Sequence, residues 1–361
     1  MTAFSAFDHA MMRRALALAE NGLYTATPNP RVGCVLTKGE AIVGEGWHEK
    51  TGGPHAEVVA IEQAGAAAAG ATLYVNLEPC GHQGRTPPCV DLILKNRIQR
   101  VVAAMLDPNP GAAHGGEKLA AAGVRFEHGL MGEEARELNI GFVSRMTRGR
   151  PWVRMKIAAT LDGRTALGEG TGANAGRSQW ITGPEARKDG HRWRARACAI
   201  LTGIGTVKAD DPRLTVREVE TPRQPMRVVV DSRLETPQTA RILDGGNVLI
   251  FSGIENTKKL NAEIVTLPNQ NKKVELPAML KELARRGVNE LHVEAGFRLN
   301  GSMVREGCVD EFLIYLNPSF LGDEAQGMLA LSGIASLDQR TRVRIMSMER
   351  IGDDIRILAR P

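Results

Sequence analysis

Helical and strand-like patterns alternate in two stretches of this 361-residue chain, and one polar segment separates the stretches. In each stretch, short runs of apolar and β-branched residues alternate with longer runs that carry apolar residues at helical spacing. The separating segment, Thr147-Arg-Gly-Arg-Pro151, is basic and is broken by Gly and Pro, as linkers and exposed turns are. Such alternation is typical of α/β domains, whose helices pack on a central sheet. We therefore predict two α/β domains, residues 1–147 and residues 148–361, a number that the usual domain size of roughly 100–200 residues also favours.

The same periodicity predicts individual elements. In the first domain it predicts helices over residues 8–21, 55–69, 89–96 and 133–146, and strands over residues 32–37, 42–47, 72–77 and 101–106. In the second domain it predicts strands over residues 152–158, 199–201, 226–231, 247–251, 290–293 and 312–316, and helices over residues 184–196 and 276–286. No run reaches the roughly 18 apolar residues that a membrane span requires, so we expect no membrane association.

Composition narrows the class of partner and the compartment. The net charge is only +5, from 46 basic and 41 acidic residues, which suits a small anionic ligand at least as well as a nucleic acid. Aromatic residues are 4% of the chain, so base-stacking platforms are not expected and we predict no nucleic-acid partner. The five cysteines are an odd number and the N-terminus shows no signal-peptide pattern, so we expect a reducing, cytoplasmic location.

The strongest chemical signal is His55-Ala-Glu57, followed by Cys80 and then Cys89. One imidazole and two thiolates are good zinc ligands, and three protein ligands leave a fourth position open for water. Zinc lowers the pKa of that water to about 7. Glu57 follows His55 by two residues, so on a helix the two side chains diverge and the carboxylate can carry protons without binding the metal, as in zinc deaminases. The alternative interpretation is that Cys80 and Cys89 are buried core thiols without a metal. We expect that role for the other three cysteines, Cys34, Cys198 and Cys308.

Three motifs around these residues resemble the deaminase half of the bifunctional riboflavin-biosynthesis deaminase–reductases. The motifs are Thr27-Pro-Asn-Pro-Arg-Val-Gly-Cys34, Pro54-His-Ala-Glu57 and Leu77-Glu-Pro-Cys-Gly-His-Gln-Gly-Arg-Thr-Pro-Pro-Cys89. The long insert between the two cysteines is characteristic of that family. The resemblance implies that His55, Cys80 and Cys89 hold Zn²⁺ and that Glu57 donates protons. It also implies that Asn29, His48, His82 and Arg85 contact the substrate.

In the second half, two glycine-containing turns follow strand-like runs. They are Thr202-Gly-Ile-Gly-Thr-Val-Lys-Ala-Asp-Asp-Pro212 and the segment from Val293 to Ser302. Glycine at such a turn lets backbone amides approach a phosphate group at a helix N-terminus. Neither turn matches the GxGxxG dinucleotide fingerprint, and an ordinary turn explains each of them equally well.

These turns, together with Lys156-Ile-Ala-Ala-Thr-Leu-Asp-Gly-Arg164 and Ser178-Gln-Trp-Ile-Thr182, resemble the reductase half of the same family. The resemblance implies a cytidine-deaminase-like three-layer N-terminal domain and a dihydrofolate-reductase-like α/β C-terminal domain that uses NADPH. It implies NADPH contacts at Ala158, Trp180, Thr206, Asp210, Gly296, Phe297, Arg298, Leu299, Asn300, Gly301 and Ser302. It implies substrate contacts at Ser178, Arg194, Leu214, Arg217 and Glu294. Lys156 is either a catalytic proton source or a member of a structural ion pair.

One segment departs from the family pattern. Residues 167–177 are rich in glycine and about half a dozen residues longer than is usual in the family, and Arg177 replaces a customary Glu.

We therefore expect a bifunctional enzyme. Its first domain deaminates a diaminohydroxyphosphoribosylaminopyrimidine hydrolytically, and its second reduces the ribosyl group of the product to a ribityl group with NADPH. We also expect a homo-oligomer, a dimer or a tetramer. One alternative is a tRNA or free-nucleoside deaminase with an unrelated C-terminal domain, and another is a non-catalytic binding protein with structural zinc.

Overall fold

The computed structural model describes residues 4–82, 87–168, 180–255 and 258–361. It divides into two compact units, Met1–Gly149 and Arg150–Pro361, so the division falls two residues beyond the predicted one. Two predicted substrate contacts, Arg85 and Ser178, lie outside the described residues, as does most of the long glycine-rich segment.

The first unit is built on a five-stranded sheet with the order β2-β1-β3-β4-β5. Strand β1 pairs antiparallel with both β2 and β3, whereas β3, β4 and β5 run parallel. The strands are β1 Gly33–Lys38, β2 Ala41–Trp47, β3 Thr72–Val75, β4 Arg100–Ala103 and β5 Arg125–His128. The helices are α1 Ala6–Glu20, α2 Ala56–Ala64, α3 Cys89–Lys95, α4 Gly115–Ala121, α5 Gly132–Leu138 and α6 Ile140–Arg148.

Alternate side chains of this sheet enter two separate cores, because successive residues of a strand point to opposite faces. On β3, Leu73 and Val75 pack with α2, α3 and α4, whereas Tyr74 packs with α1, α5 and α6. The unit is therefore a three-layer helix–sheet–helix domain, and the predicted α/β class with three layers is confirmed.

The prediction of one helix over residues 133–146 is wrong, because the helix is interrupted at Asn139. The Asn139 side chain pairs with the backbone of Arg31 twice. Its Oδ1 accepts the Arg31 N–H at 2.8 Å, and its Nδ2 donates to the Arg31 carbonyl at 2.9 Å. A buried side chain fixed in this way stops one helix and starts the next.

The second unit is built on a nine-stranded sheet with the order β11-β10-β9-β8-β12-β6-β13-β16-β15. The strands from β11 to β13 run parallel, and β16 and β15 add antiparallel at one edge. Its first elements are β6 Trp152–Thr160, β7 Arg164–Ala166, α7 Pro184–Arg196, β8 Ala199–Gly203, α8 Ile204–Asp210, β9 Met226–Val230, β10 Val248–Ser252 and β11 Glu263–Thr266. They are followed by α9 Leu276–Arg285, β12 Glu290–Val293, α10 Phe297–Arg305, β13 Glu311–Asn317, β14 Gln326–Gly327, β15 Arg344–Ile351 and β16 Asp354–Arg360.

The order of the parallel strands changes direction between β8 and β12. From β8 the chain continues outward to β9, β10 and β11, whereas from β12 it continues past β6 to β13 on the other side. In open α/β sheets, ligands bind outside the carboxyl ends of the strands at such a switch point. Helices α9 and α10 pack on one face of the sheet, and α7 and α8 pack on the other.

Several local features of the structure differ from the predictions or were not predicted. The predicted helix over residues 55–69 is α2, which ends at Ala64 and is followed by a 3₁₀ turn over Gly65–Ala68. The first glycine turn contains a short helix, α8. The hairpin of β15 and β16 was not predicted, and in it exposed apolar side chains such as Ile345 and Met348 obscure the alternation.

Candidate functional site

Three metal-binding side chains of the first unit meet at the start of two helices. His55 is the N-cap residue of α2, Cys89 is the first residue of α3, and Cys80 lies in the loop that follows β3. The Nδ1 atom of His55 lies 3.2 Å from the Sγ atom of Cys89 and 3.7 Å from that of Cys80. All three donor atoms lie within 4.8 Å of one another.

These distances fit a single tetrahedral zinc ion. Zn–N and Zn–S bonds of about 2.0–2.3 Å place donor atoms about 3.6–3.8 Å apart. The chemistry of the Cys80 thiol also fits, since a hydrogen bond from Cys89 lowers its pKa to about 4 and favours the thiolate at this position. Within the described residues no fourth protein donor belongs to the group, which suits a site that also admits water.

Glu57 lies in the first turn of α2 and is 4% exposed. Burial raises the pKa of its carboxyl group, which lies beside the thiol of Cys89. A carboxyl group that is protonated more readily than usual can both accept and return a proton near neutral pH. The local geometry therefore matches the proton-carrying role that the sequence predicts for Glu57.

Two of the predicted substrate contacts form a chain of hydrogen bonds next to the metal-binding group. The Nδ1 atom of His48 bonds the carbonyl of Pro54 at 2.9 Å, so the ring proton belongs on Nδ1 and Nε2 accepts from Asn29 Nδ2 at 3.0 Å. Burial lowers the pKa of His48, which keeps the ring neutral, and its centroid lies 5.5 Å from that of His55. The amide of Asn29 is thereby fixed, with Oδ1 turned away from the ring. His82 is exposed in the loop after Cys80.

Two predicted substrate contacts, Arg194 and Glu294, meet the predicted proton source Lys156 near the neighbouring strands β12 and β6 of the second unit. Glu294 follows β12 directly, and its carboxylate accepts two bonds from Arg194 of α7, at 2.5 and 2.8 Å. Burial works against ionisation, but Arg194 holds the pKa of Glu294 well below its usual range. Lys156 on β6 is half-buried, and burial lowers its pKa, with Arg194 adding to the effect and Glu294 opposing it. The cluster therefore combines a fixed carboxylate with a lysine that releases its proton more readily than usual.

The segment that carries Leu214 and Arg217 is attached to α7 and to Gln224. Arg194 Nη1 donates to the carbonyl of Thr215 at 3.1 Å, and the Gln224 amide makes two bonds to the backbone of Val216. Leu214 is buried and has a φ of +48°, a left-handed conformation that costs energy for a non-glycine residue. The side chain of Arg217 is exposed at the end of this segment.

Two helices that carry predicted cofactor contacts, α8 and α10, follow β8 and β12, the strands at the switch point of the sheet. Gly296 is the N-cap of α10 and has no side-chain cap, so backbone N–H groups of the first turn remain available to a phosphate. A Cβ atom added to Gly296 would lie 3.6 Å from Thr206 Oγ1, so the start of α10 lies close to Thr206 of α8. This donor set fits the pyrophosphate of a nicotinamide dinucleotide. Ala158 lies on β6 and Asp210 ends α8.

The remaining predicted cofactor contacts differ in accessibility. Phe297, Arg298, Leu299 and Ser302 are at least partly exposed on α10, whereas Asn300 and Gly301 are buried. A Cβ atom at Gly301 would lie 2.3 Å from the carbonyl oxygen of Ala330, so this glycine serves close packing. Trp180 is 73% exposed, and the guanidinium of Arg187 stacks 3.9 Å from its ring centroid.

Two residues of these sites were not identified from the sequence. Glu78 accepts the N–H groups of Gly116 and Asp107, at 2.8 and 3.0 Å, and so fixes the loop that carries Cys80. His191 contacts both Arg194 and Arg217 in the second unit. The available signal was spacing, because His191 precedes Arg194 by three residues and the two share a helix face.

The chain matches two family models and resembles proteins that carry both. The cytidine and deoxycytidylate deaminase zinc-binding region matches residues 5–105, and the RibD C-terminal domain matches residues 151–357. The riboflavin biosynthesis protein RibD of Escherichia coli is 41% identical over 364 residues, which cover 96% of this chain and 98% of that protein.

Two solved structures are similar over nearly the whole chain. RibD of Acinetobacter baumannii has a TM-score of 0.90 at 38% identity, and covers 98% of this chain and 99% of its own. The diaminohydroxyphosphoribosylaminopyrimidine deaminase/5-amino-6-(5-phosphoribosylamino)uracil reductase of Thermotoga maritima has a TM-score of 0.87 at 32% identity, with the same coverage.

These matches exclude an unrelated C-terminal domain. They imply zinc for the first domain and a nicotinamide cofactor for the second. No helix in the described ranges has both the length and the apolar character needed to cross a membrane. The chain thus belongs to the RibD family, the bifunctional deaminases and reductases of riboflavin biosynthesis whose deaminase domain is of the zinc-binding type.

Proposed function

We propose that this chain deaminates diaminohydroxyphosphoribosylaminopyrimidine and then reduces the resulting 5-amino-6-(5-phosphoribosylamino)uracil with NADPH. The T. maritima relative is named for the same two reactions. The observation that carries the proposal is the convergence of His55, Cys80 and Cys89 on one point, with the buried carboxyl group of Glu57 beside it. When bound, zinc supplies an activated water and the nicotinamide cofactor supplies a hydride.

In the deamination, His55, Cys80 and Cys89 hold the zinc and Glu57 moves the protons. Glu57 takes one proton from the attacking water and passes it to the ring nitrogen. It then moves the second proton of that water to the departing amino group, which leaves as ammonia while the oxygen stays on the ring carbon as a carbonyl. His48 holds Asn29 so that its amide oxygen can accept from a substrate N–H or O–H group. His82 and Arg85 complete the substrate contacts in this proposal, and the guanidinium of Arg85 suits the ribose phosphate.

In the reduction, the second unit orients the ribosyl group and balances its charge. Arg194 and Arg217 hold the phosphate end of the substrate, while Glu294 fixes the orientation of Arg194. The hydride is added at C1 of the opened ribosyl group, and Lys156 supplies the proton that completes the reduction. Ser178 and Leu214 complete the substrate contacts. The NADPH contacts are Ala158, Trp180, Thr206, Asp210, Gly296, Phe297, Arg298, Leu299, Asn300, Gly301 and Ser302.

The proposal is tested with the purified full chain and separate substrates. We expect ammonia release from the diamino pyrimidine nucleotide, none from cytidine or tRNA, and a higher kcat/KM for NADPH than for NADH in reduction of the deaminated nucleotide. Deamination of tRNA or cytidine, without deamination of the pyrimidine nucleotide, would contradict it.

We also propose that the chain forms a homo-oligomer, a dimer or a tetramer, in the cytoplasm. Exposed apolar side chains along the edge strand β15, among them Ile345 and Met348, support self-association. All five cysteines are free thiols, which supports a reducing compartment. Light scattering at several protein concentrations tests the homo-oligomer, and a monomer at all concentrations would contradict it. Fractionation of the cell that produces the protein tests the cytoplasmic location.

A further inference from the structure

His191 lies in the charged cluster of the second unit, in contact with Arg194 and Arg217. It is on α7 and only 6% exposed. The charged groups that act on its ring are those of Arg194, Arg217, Lys156 and Glu294. Three cations thus face one anion around this imidazole, so the cluster has a positive balance that attracts an anion.

The two ring nitrogens of His191 both face N–H donors. Nδ1 lies 3.1 Å from the backbone nitrogen of Arg217, and Nε2 lies 3.5 Å from Nη1 of Arg194. A neutral imidazole has only one acceptor nitrogen. Burial and the neighbouring Arg194 lower the pKa of His191 to about 4, so the ring is neutral at pH 7. The shorter contact identifies Nδ1 as the acceptor, and the ring hydrogen therefore belongs on Nε2.

This assignment leaves two N–H donors, Nε2 of His191 and Nη1 of Arg194, facing each other across 3.5 Å. The other guanidinium nitrogens of Arg194, Nε and Nη2, are already paired with Glu294. Nη1 donates one hydrogen to the Thr215 carbonyl, and the other points toward Nε2 of His191. An oxygen atom placed about 2.9 Å from both nitrogens would accept from each and would remove the donor–donor contact.

We propose that His191 Nε2–H and Arg194 Nη1–H together bind an anionic oxygen of the substrate's phosphate group. This inference rests on the proposed function, because it takes the ribosyl phosphate as the anion. The same imidazole anchors Arg217 through Nδ1, so one ring binds the anion and also positions the second arginine.

Two substitutions separate the roles of the two ring nitrogens. His191→Asn retains an acceptor near the position of Nδ1 but has no donor at that of Nε2. His191→Gln places an amide N–H near the position of Nε2 but loses the Nδ1 acceptor. Gln224→Ala is the matched control, since it loosens the same segment at Val216 and leaves the imidazole intact.

We expect His191→Asn to raise the reductase KM about tenfold and to weaken inhibition by inorganic phosphate about equally, with kcat within about twofold of wild type. We expect the reductase KM of His191→Gln to return most of the way to the wild-type value. Gln224→Ala is expected to change the reductase KM less than about threefold. The deaminase kcat/KM stays at the wild-type value in all three. An unchanged KM in His191→Asn, an unchanged phosphate inhibition, or an equal rise in Gln224→Ala would each overturn the proposal.

A binding measurement on the full chain does not depend on turnover. With ¹⁵N-labelled histidine, titration with inorganic phosphate is expected to shift the Nε2 resonance that is missing in His191→Asn. No shift at a phosphate concentration that inhibits the wild-type reductase would overturn the inference. If the wild-type chain fails to reduce the deaminated nucleotide while this resonance still shifts, the proposed function is wrong and the anion site remains.

Discussion

At the scale of single residues, burial sets Glu57 of the first unit apart from a surface acid. Glu57 is buried in the first turn of α2, and burial raises its pKa, so its carboxyl group gains a proton more readily than a surface glutamate does. Exposed acids on the same helix, such as Glu62, do not experience this environment. The position of Glu57 next to the metal-binding group therefore supports its proposed role as a proton carrier.

The first prediction concerns the proton carried by Glu57. Glu57→Gln keeps the shape of the side chain but cannot exchange a proton, so deamination is expected to fall by about 10²–10⁴-fold or more. Zinc content, measured by elemental analysis, stays near wild type, and reduction of supplied deaminated nucleotide is unchanged. Glu62→Gln is the control and keeps full activity. Loss of zinc together with activity in Glu57→Gln would mean that Glu57 is a ligand.

The second prediction follows from the lowered pKa of His191. Its folded value of about 4 lies below the ordinary value of 6.5, so between these pH values the unfolded chain binds more protons. The contribution of His191 to stability is therefore fully present above pH 6.5 and is lost as the pH falls toward 4. Thermal unfolding of wild type and His191→Asn is the measurement, and their difference in Tm is expected to shrink on acidification. A difference that grows as the pH falls would contradict the sign.

At the scale of elements, buried charges join three neighbouring strands of the second unit. Arg154 on β6 binds Glu311 of β13 at 2.5 Å and Glu290 of β12 at 3.0 Å, and all three side chains are 2% exposed. Arg196 and Arg360 contribute further bonds to the two glutamates. One of the joined strands, β6, carries Lys156, and another, β12, ends just before Glu294. The ion pairs therefore fix the register of the two strands that position the candidate reductase site.

The third prediction tests this network. Arg154→Ala removes one partner and leaves buried carboxylates with fewer counter-charges, so we expect the free energy of unfolding to fall by about 3–5 kcal/mol. Arg350→Ala breaks a surface ion pair with Asp353 and should change it by less than about 0.5 kcal/mol. Urea unfolding of the full chain measures both. Equal stabilities for the two variants would show that the network contributes little.

Elements with a strong local pattern could be predicted from the sequence, whereas elements fixed by distant contacts could not. Helix α7 begins and ends as predicted, because Pro184 opens it and polar residues line one side. The break at Asn139 was missed, since it depends on hydrogen bonds to Arg31, which is far away in sequence. The edge hairpin was missed because exposed apolar residues disguise the alternation of inward and outward positions.

The candidate sites show the same division. The residues His55, Glu57, Cys80 and Cys89 carry chemistry in a recognisable spacing, so sequence was sufficient to predict a metal centre. His191 has no such motif, and its importance depends on how α7 packs against the segment that ends at Arg217. The pairing of Arg194 with Glu294 across 100 residues could likewise be seen only in the structure.

At the scale of the whole molecule, the chain consists of two units with separate cores and separate candidate sites. The fourth prediction is that removing zinc affects only one of them. Dialysis against a chelator should abolish ammonia release, because the activated water is lost, and reduction of supplied deaminated nucleotide should keep its kcat. Re-addition of Zn²⁺ restores deamination. A parallel loss of both activities would contradict separate sites.

If deamination precedes reduction in one chain, a single coupled assay shows the two reactions in that order. The zinc-loaded enzyme receives the diamino pyrimidine nucleotide with or without NADPH, while ammonia and NADPH are followed together. We predict ammonia release without NADPH, and NADPH oxidation that begins only after ammonia appears. Glu57→Gln is expected to show neither signal, and added deaminated nucleotide is expected to restore its NADPH oxidation but not ammonia release. NADPH oxidation without ammonia release, or ammonia release that requires NADPH, would contradict the account.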